Sequence, residues 1–489
     1  MSVVRPSLRP LATEPARPGW VRQHARAWHL AVATVCIGAF MGQLDASIVT
    51  VALPTIQRSF HTSVSVVAWV GLAYLVALVA TVAAFGRLSD TLGRKLIYLY
   101  GFVVFVAGSA LCAIAPSIDA LIAFRVVQGL GAAMLQANSV AIIALAVPRE
   151  RLGRAIGVQG AVQALGLAAG PAIGGLLLAL GSWRLLFLVN VPAGIAAFAL
   201  GWFLLPRSRE LQRGVRFDRA GLALLVPAVA TALCVLTIGG SHAGGPGPVA
   251  ALAVVAVALI AAFCVHERRA SSPLLNVAVL TNRDVSTGVL GAFCSYVVLF
   301  GVLLATPFFL ERGLGLGIAA SGATLAVMPV AMGVTSAIAG RLSERVGTRR
   351  LAVWGMALCA IALVAVAAEH AGLAVLVVAL AALGVGLGLF TPSNNASVMR
   401  AAPRRSVGEV SGLLNMGRGM GTAVGLAVTS LLLALGAPAT REAHARTFGL
   451  TAAALAIVAV GGTLAASLAT RAPRAPSATL VGAPGVVEP

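Results

Sequence analysis

Apolar runs, broken by short basic or glycine- and proline-bearing interruptions, fill this chain from about residue 28 to residue 469. Most run for about 20 residues or more, the length at which a helix crosses a bilayer core. The pattern predicts fourteen spans, near 28–53, 64–85, 96–115, 120–147, 155–180, 185–205, 220–240, 248–265, 285–310, 318–339, 351–368, 373–398, 406–436 and 447–469.

The interruptions test this partition independently. Of the 35 Arg and Lys residues, 28 fall in one alternating set of interruptions and 5 in the other, while Arg125 and Arg418 lie inside spans. Missing or inventing a single helix would scramble that split. Basic residues stay on the cytoplasmic side of a membrane protein, so both termini are expected in the cytoplasm and the number of spans is even.

The interruptions also contain a repeat. Gly86-Arg-Leu-Ser-Asp-Thr-Leu-Gly-Arg-Lys95 returns 254 residues later as Gly340-Arg-Leu-Ser-Glu-Arg-Val-Gly-Thr-Arg349, each copy reading as a basic hairpin between two long apolar runs. That offset lays span 1 on span 9 and span 2 on span 10. The expected plan is a cytoplasmic tail at 1–27, a six-helix bundle at 28–205, a linker with two inserted helices at 206–284, a second six-helix bundle at 285–470, and a disordered, Pro- and Ala-rich tail at 471–489. Internally repeated helical bundles are the usual architecture of secondary transporters, whose substrate site lies between the halves.

Composition changes this picture at two points. With 59% hydrophobic and 10% charged residues and a mean hydropathy of +0.97, the chain lies far from the roughly 25% charged residues of soluble domains. Its formal net charge of +20 would suggest nucleic acid in a soluble protein. Here membrane sidedness accounts for the basic residues, and no nucleic-acid partner is expected. Cys36, Cys112, Cys234, Cys264, Cys294 and Cys359 all lie in or beside apolar runs without CxxC spacing, which argues against zinc and disulfides. No metal or cofactor is expected. The run from about Trp28 to Leu53 is too long for a cleaved secretory signal and reads as a retained helix.

Several motifs resemble the major facilitator superfamily and, within it, the fourteen-span drug/proton antiporters; the likeness extends from span 1 to span 14. Gly86-x-Leu88-x-Asp90-x-x-Gly93-Arg94-Lys95 matches the superfamily's loop motif between spans 2 and 3, with Thr91 where an arginine is common and with Glu344 and Thr348 as changes in the second copy. Span 4 carries Leu121-x-x-x-Arg125-x-x-Gln128-Gly129-x-Gly131-Ala132-Ala133, similar to the family motif tied to proton transfer. Span 5 carries Gly166-x-x-x-Gly170-Pro171-x-x-Gly174-Gly175, which looks like the antiporter motif and points to export. Leu44-Asp45-x-Ser47-Ile48-Val49-Thr50-Val51-Ala52-Leu53-Pro54 is like the group's span-1 motif, with Ser47 and Thr50 for the usual Thr and Asn; Trp183-Arg184-x-x-Phe187-x-x-Asn190-x-Pro192 also resembles the group. The resemblance implies an all-α membrane protein of the major facilitator fold, two six-helix repeats plus two inserted helices, working by alternating access. It also implies a conformational-switch loop at Gly86, Asp90, Gly93, Arg94 and Lys95, and an antiporter motif at Gly166, Gly170, Pro171, Gly174 and Gly175.

Asp45 is the one carboxylate well inside a predicted span. Intramembrane acids are costly and are functional candidates by default. Asp45 either gives up and regains a proton during transport or belongs to a static pair that orients helices. Arg125 is its expected partner. Asp45 lies nine residues before Pro54, and Arg125 lies six after Asp119. At a helical rise of 1.5 Å per residue they sit about 13 and 9 Å below the same surface, and the resemblance supplies their adjacency. The repeat places apolar Leu299 and Ala379 at the equivalent positions, and this one-sidedness favours a functional role.

Arg418, within Asn415-Met-Gly-Arg-Gly-Met-Gly421, lies deeper and has no carboxylate nearby in sequence. It either snorkels or binds a substrate anion. One acid against two bases inside the membrane leans the expected substrate toward a neutral or anionic amphipathic molecule, unless Glu311 at the outer end of span 9 faces the cavity. Phe390-Thr-Pro-Ser-Asn-Asn395 reads as an interruption of span 12, and broken spans are candidate substrate contacts. Ser393, Asn394 and Asn395 therefore join Gln128, Asn138 and Arg418 as candidate cavity residues. Pro171 predicts a local kink in span 5. Trp69, Tyr74, Phe300 and Phe308 either line the same cavity or pack in the core.

No Walker-type phosphate loop, HExxH or GxSxG is present, and no loop is long enough for a folded extramembrane domain. ATP-driven transport, hydrolysis and a sensor role are thus disfavoured. The expected protein is a monomeric, proton-coupled exporter of amphipathic small molecules in a bacterial inner membrane, with protons and the lipid bilayer as its other partners. The alternative is dedicated export of one endogenous metabolite, antibiotic or lipid-like product.

Overall fold

The computed structural model describes residues 14–23, 27–62, 64–208, 218–241, 246–270, 277–368, 372–403, 406–435 and 440–469, which are helical almost throughout and contain no strand. The long helices are α1 (Ala27–Ser59), α2 (Val64–Leu92), α3 (Arg94–Ala113), α4 (Ile118–Ala146), α5 (Leu152–Ala179), α6 (Asn190–Leu204), α7 (Arg219–Ser241), α8 (Pro246–Arg269), α9 (Arg283–Phe308), α10 (Ile318–Val346), α11 (Thr348–Ala368), α12 (Leu373–Ala401), α13 (Val407–Leu435) and α14 (Arg441–Leu468). Among the described residues thirteen helices are long and apolar enough to cross a membrane, and α7 contributes a shorter apolar stretch, Arg219–Val235.

The helices run past the apolar runs that predict them, and this corrects two expectations. The first decapeptide is not a loop. Gly86 to Leu92 form the last turns of α2, Gly93 alone turns the chain at φ 116°, and Arg94 and Lys95 open α3. The second copy repeats the geometry, with Gly347 at φ 97° between α10 and α11. Both turns use the left-handed region that glycine enters without a Cβ penalty. Span 12 is likewise unbroken, because α12 continues through Pro392. Proline removes one ladder donor, yet tertiary contacts hold the polar run in a helix: the Asn394 amide donates to the Gly288 carbonyl of α9 at 2.9 Å. The sixth predicted span is matched by Leu185–Leu204, in which Val189, itself with helical dihedrals, joins the turn Leu185–Leu188 to α6. Helix α5 runs through Pro171, whose side chain lies outside the described residues.

The repeat is visible in the packing. In the first half α1 lies against α5, α2 against α4 and α3 against α4; in the second, α9 lies against α13, α10 against α12 and α11 against α12. The halves meet along two related seams, α2 with α13 and α5 with α10. Both are built on glycine, which lets backbones approach closely. A Cβ at Gly86 would lie 2.5 Å from the Gly408 carbonyl oxygen, and one at Gly340 would lie 2.6 Å from that of Gly153. Helix α7 packs on α2, α13 and α8, beside the first seam. Helix α8 turns Val254, Val257 and Ile260 outward.

Part of the expected N-terminal tail is anchored. The Glu14 carboxylate accepts hydrogen bonds from the Lys95 amide (3.0 Å), the Ser208 amide (2.6 Å) and the Ser208 hydroxyl (2.9 Å). Lys95 in turn donates its ammonium protons to the carbonyls of Pro15 and Trp202, at 2.9 and 2.7 Å. Residues 1–13 and the tail at 471–489 lie outside the described residues.

Candidate functional site

Asp45 sits at the centre of the first half with no solvent exposure. Its Oδ2 accepts from Arg125 Nη1 at 2.7 Å; its Oδ1 accepts from Gln128 Nε2 at 2.8 Å and from Asn190 Nδ2 at 2.9 Å. Arg125 also donates to the Val70 carbonyl (2.8 Å) and to Gln128 Oε1 (2.6 Å), and Gln128 Nε2 reaches the Ser109 hydroxyl at 2.6 Å. The Arg125 guanidinium lies 4.2 Å from the centre of the Tyr74 ring and 5.8 Å from that of Phe187. Five helices of the first half thus converge on one ion pair.

A buried ion pair survives only if geometry and further hydrogen bonds repay the several kcal/mol it costs to desolvate each ion. Here each of the three side chains bonded to the carboxylate is a donor. An ionised carboxylate only accepts, whereas a protonated one must also donate. All three of these bonds supply protons to the carboxylate, and none offers it an acceptor.

The glycines of α5 clamp the turn of α1 that carries this acid. A Cβ at Gly166 would lie 2.8 Å from the Phe40 carbonyl oxygen, one at Gly170 2.6 Å from Ser47 Cβ and 3.0 Å from the Ile48 amide, and one at Gly174 3.1 Å from Ile48 Cγ1. The Ser47 hydroxyl donates to the carbonyls of Leu44 (3.1 Å) and Gly166 (3.4 Å). Gly175 faces open space. Nearer its N-terminus, α5 meets α10: a Cβ at Gly157 would lie 2.6 Å from the Ser336 carbonyl oxygen. One helix therefore touches both the backbone around Asp45 and the seam between the halves.

At the other seam Asp90, also fully buried, accepts from the backbone amides of Gly408 (3.0 Å) and Glu409 (2.8 Å) in the first turn of α13. Arg94 donates to the same carboxylate at 2.5 Å, and Arg87 pairs with Glu409 at 3.4 Å. Free amides and the helix dipole make such an N-terminus a favourable place for a negative charge. Gly86 provides the close approach, Gly93 the turn, and Lys95 binds the N-terminal segment.

The candidate cavity residues separate into two places. Gln128 belongs to the Asp45 cluster. Arg418, buried in α13, donates to Asn395 Oδ1 of α12 at 2.6 Å and Asn415 Oδ1 at 3.1 Å, and its guanidinium lies 5.5 Å from the Tyr296 ring of α9. Asn415 also donates across the seam to the Gln136 carbonyl of α4 at 2.9 Å. Asn394 turns to α9 instead. Asn138 is buried and donates to the Met134 carbonyl at 2.9 Å; its Oδ1 and the Ser393 hydroxyl have no hydrogen-bond partner among the described residues. Tyr74 is buried beneath Arg125, Trp69 and Phe300 are half-buried and Phe308 is exposed. Sequence reasoning left Asn190 and Ser109 out of the site. An amide and a hydroxyl within long apolar runs were the available signal.

A family model described as Major Facilitator Superfamily matches residues 35–280 and 288–487. The riboflavin transporter RibZ of Clostridioides difficile is 32% identical over 82% of this chain and 87% of its own. A multidrug resistance protein B homolog of Mycobacterium tuberculosis is 34% identical over 83% of this chain and 76% of its own. The tetracenomycin C resistance and export protein of Streptomyces glaucescens is 31% identical over 84% and 76%. Among solved structures, the human organic anion transporter MFSD10 (TETRAN) superposes with a TM-score of 0.65 at 17% identity, over 88% of this chain and 99% of that one. The proton:xylose symporter XylE gives 0.63 at 13% identity, over 88% and 95%; at these identities the likeness is one of fold.

Proposed function

We propose that this chain, which belongs to the major facilitator superfamily, is a proton-coupled exporter of amphipathic small molecules that works by alternating access. The observation that carries the reading is the Asp45 cluster: a fully buried carboxylate that accepts from Arg125, Gln128 and Asn190. In this reading the arginine-rich ends of the helices, both chain termini among them, face the cytoplasm of a bacterial inner membrane. The α2–α13 contact at Asp90 and the α5–α10 contact at Gly157 then close the cytoplasmic side.

A proton entering from outside neutralises Asp45 and releases α1 from Arg125, which keeps the Val70 carbonyl and Gln128 Oε1 as acceptors. Movement of α1 passes to α5 through Gly166 and Gly170, and α5 carries it to the α10 seam. Opening of the seams exposes the site to the cytoplasm, and loss of the proton there resets it. The chain functions as a monomer, since both seams lie within it. Relatives named for multidrug resistance support a broad substrate range, whereas one named for export of tetracenomycin C favours a second reading, dedicated export of one product.

The test is a proteoliposome assay with an imposed pH gradient and a panel of charged and neutral amphiphiles. Wild type exports the compounds as protons flow down the imposed gradient into the lumen and acidify it; Asp45→Asn binds the same compounds without coupled proton movement. Intact coupled export in Asp45→Asn would overturn the proposal.

A further inference from the structure

We infer that Arg418 is the binding point for an anionic group on the transported molecule, so that the substrates include amphipathic anions such as carboxylates. The inference rests on the exporter reading and narrows it to a ligand class. Two buried guanidiniums lie deep in this bundle, and they differ in one respect. Arg125 faces a carboxylate at 2.7 Å. Arg418, 5% exposed, has no carboxylate within ion-pair distance among the described residues. Its guanidinium meets two neutral amide oxygens and the face of Tyr296.

A positive charge held away from water among neutral groups is costly, and snorkelling does not relieve it here. Arg418 lies eleven residues into α13, about 16 Å along the helix from its basic end, and its head group is held laterally by α12 and α9 rather than extended along the lipid boundary. Its surroundings are polar on two helices. Ser411, Asn415 and Thr422 lie on the Arg418 face of α13, and all are buried; the Ser411 hydroxyl has no hydrogen-bond partner among the described residues. A guanidinium presents a planar fork of donors matched to a carboxylate, and Asn395 Oδ1 and Asn415 Oδ1 occupy part of that fork with neutral acceptors that an anion outcompetes. Asn415 uses its other amide atom, Nδ2, to hold the Gln136 carbonyl of α4, so the site lies beside the first half.

Two xanthene dyes of one framework and opposite charge, fluorescein and rhodamine 6G, separate charge from shape. Their binding is followed by fluorescence anisotropy with the full-length protein in nanodiscs, and deoxycholate serves as an aliphatic competing anion. Wild type is expected to prefer fluorescein and to release it to deoxycholate. Arg418→Gln is expected to weaken fluorescein binding by about thirtyfold or more, the loss typical of removing one member of a buried charge pair, with rhodamine 6G binding unchanged. Arg418→Lys keeps part of the preference. Should Arg418→Gln fail to fold, Asn395→Asp supplies an internal carboxylate 2.6 Å from the guanidinium and abolishes fluorescein binding in a folded protein. Equal binding of the two dyes by wild type, or unchanged fluorescein binding in Asn395→Asp, would overturn the inference. Failure of the coupling reading shows differently: Asp45→Asn would then retain both fluorescein binding and coupled transport.

Discussion

The carboxylate of Asp90, at the end of α2, accepts a 2.8 Å hydrogen bond from the backbone amide of Glu409, at the start of α13. The two residues are 319 positions apart and belong to different halves. The bond joins a side chain to a backbone amide rather than two side chains, so an acid in one half caps a helix N-terminus in the other. Arg94 neutralises the acid from its own half, and Arg87 reaches the Glu409 side chain. The repeated decapeptide is thus, in its first copy, a catch between two lobes.

Weakening that catch should favour the conformation in which the seam is open. Hydrogen bonds to charged groups contribute about 1.5–3 kcal/mol each, so Asp90→Asn is expected to shift a two-state equilibrium by about tenfold or more. Spin labels at Leu92 and Arg400, both exposed and in opposite halves, measure the change: the distance distribution should gain a longer component. An unchanged distribution would show that the glycine packing at Gly86 and Gly408 holds the seam without the acid.

The central ion pair makes a second prediction, one that separates structure from coupling. Arg125→Gln strands the Asp45 carboxylate, and Asp45→Asn strands the guanidinium. Each should cost about 3–5 kcal/mol, as breaking a buried pair does, and should lower the thermal unfolding midpoint in neutral detergent. The double variant leaves two neutral amides in the same places and should recover much of that loss. It should not recover proton-driven export. Restored coupling in the double variant would mean that the pair only orients α1 and α4.

What the sequence disclosed follows from how much each group costs inside a membrane. A charge in an apolar run is conspicuous, so Asp45 and Arg125 stand out, depth counted along two helices sets them at similar levels, and the family resemblance supplies their adjacency. The repeat offset likewise mapped α1 onto α9 and α2 onto α10, and the packing pairs follow it. Neutral partners carry no such mark. Asn190 belongs to the Trp183-to-Pro192 motif but carries no charge that points to Asp45, Ser109 resembles any hydroxyl in a helix, and the carbonyl of Val70 has no side-chain signature at all. Gln128 was legible as polar, but not as a partner of Asp45 rather than of Arg418. The run from Thr391 to Asn395 read as a break because proline and asparagine disfavour helices in isolation; packing of α12 against α9, α10 and α11 overrides that local preference. The link from Glu14 to α3 was hidden for a related reason, since one acid in a basic tail does not reveal which amides it caps.

The α5 glycines give the third prediction, because adjacent motif positions should respond with opposite sign. Gly170 leaves no room for a Cβ against Ser47 and Ile48, whereas at Gly175 a Cβ meets nothing within 4 Å. Gly170→Ala must therefore push α5 away from the α1 turn that carries Asp45, at the roughly 1–3 kcal/mol typical of overpacking. Gly175→Ala adds a better helix former in open space and should stabilise by up to about 1 kcal/mol. Thermal unfolding should show the first variant below wild type and the second at or above it. Transport divides them further. If α5 relays the state of Asp45 to the α10 seam, Gly170→Ala loses proton-coupled export even at temperatures where it remains folded, while Gly175→Ala keeps it. Equal transport by the two variants would remove α5 from the relay and leave its glycines as packing alone.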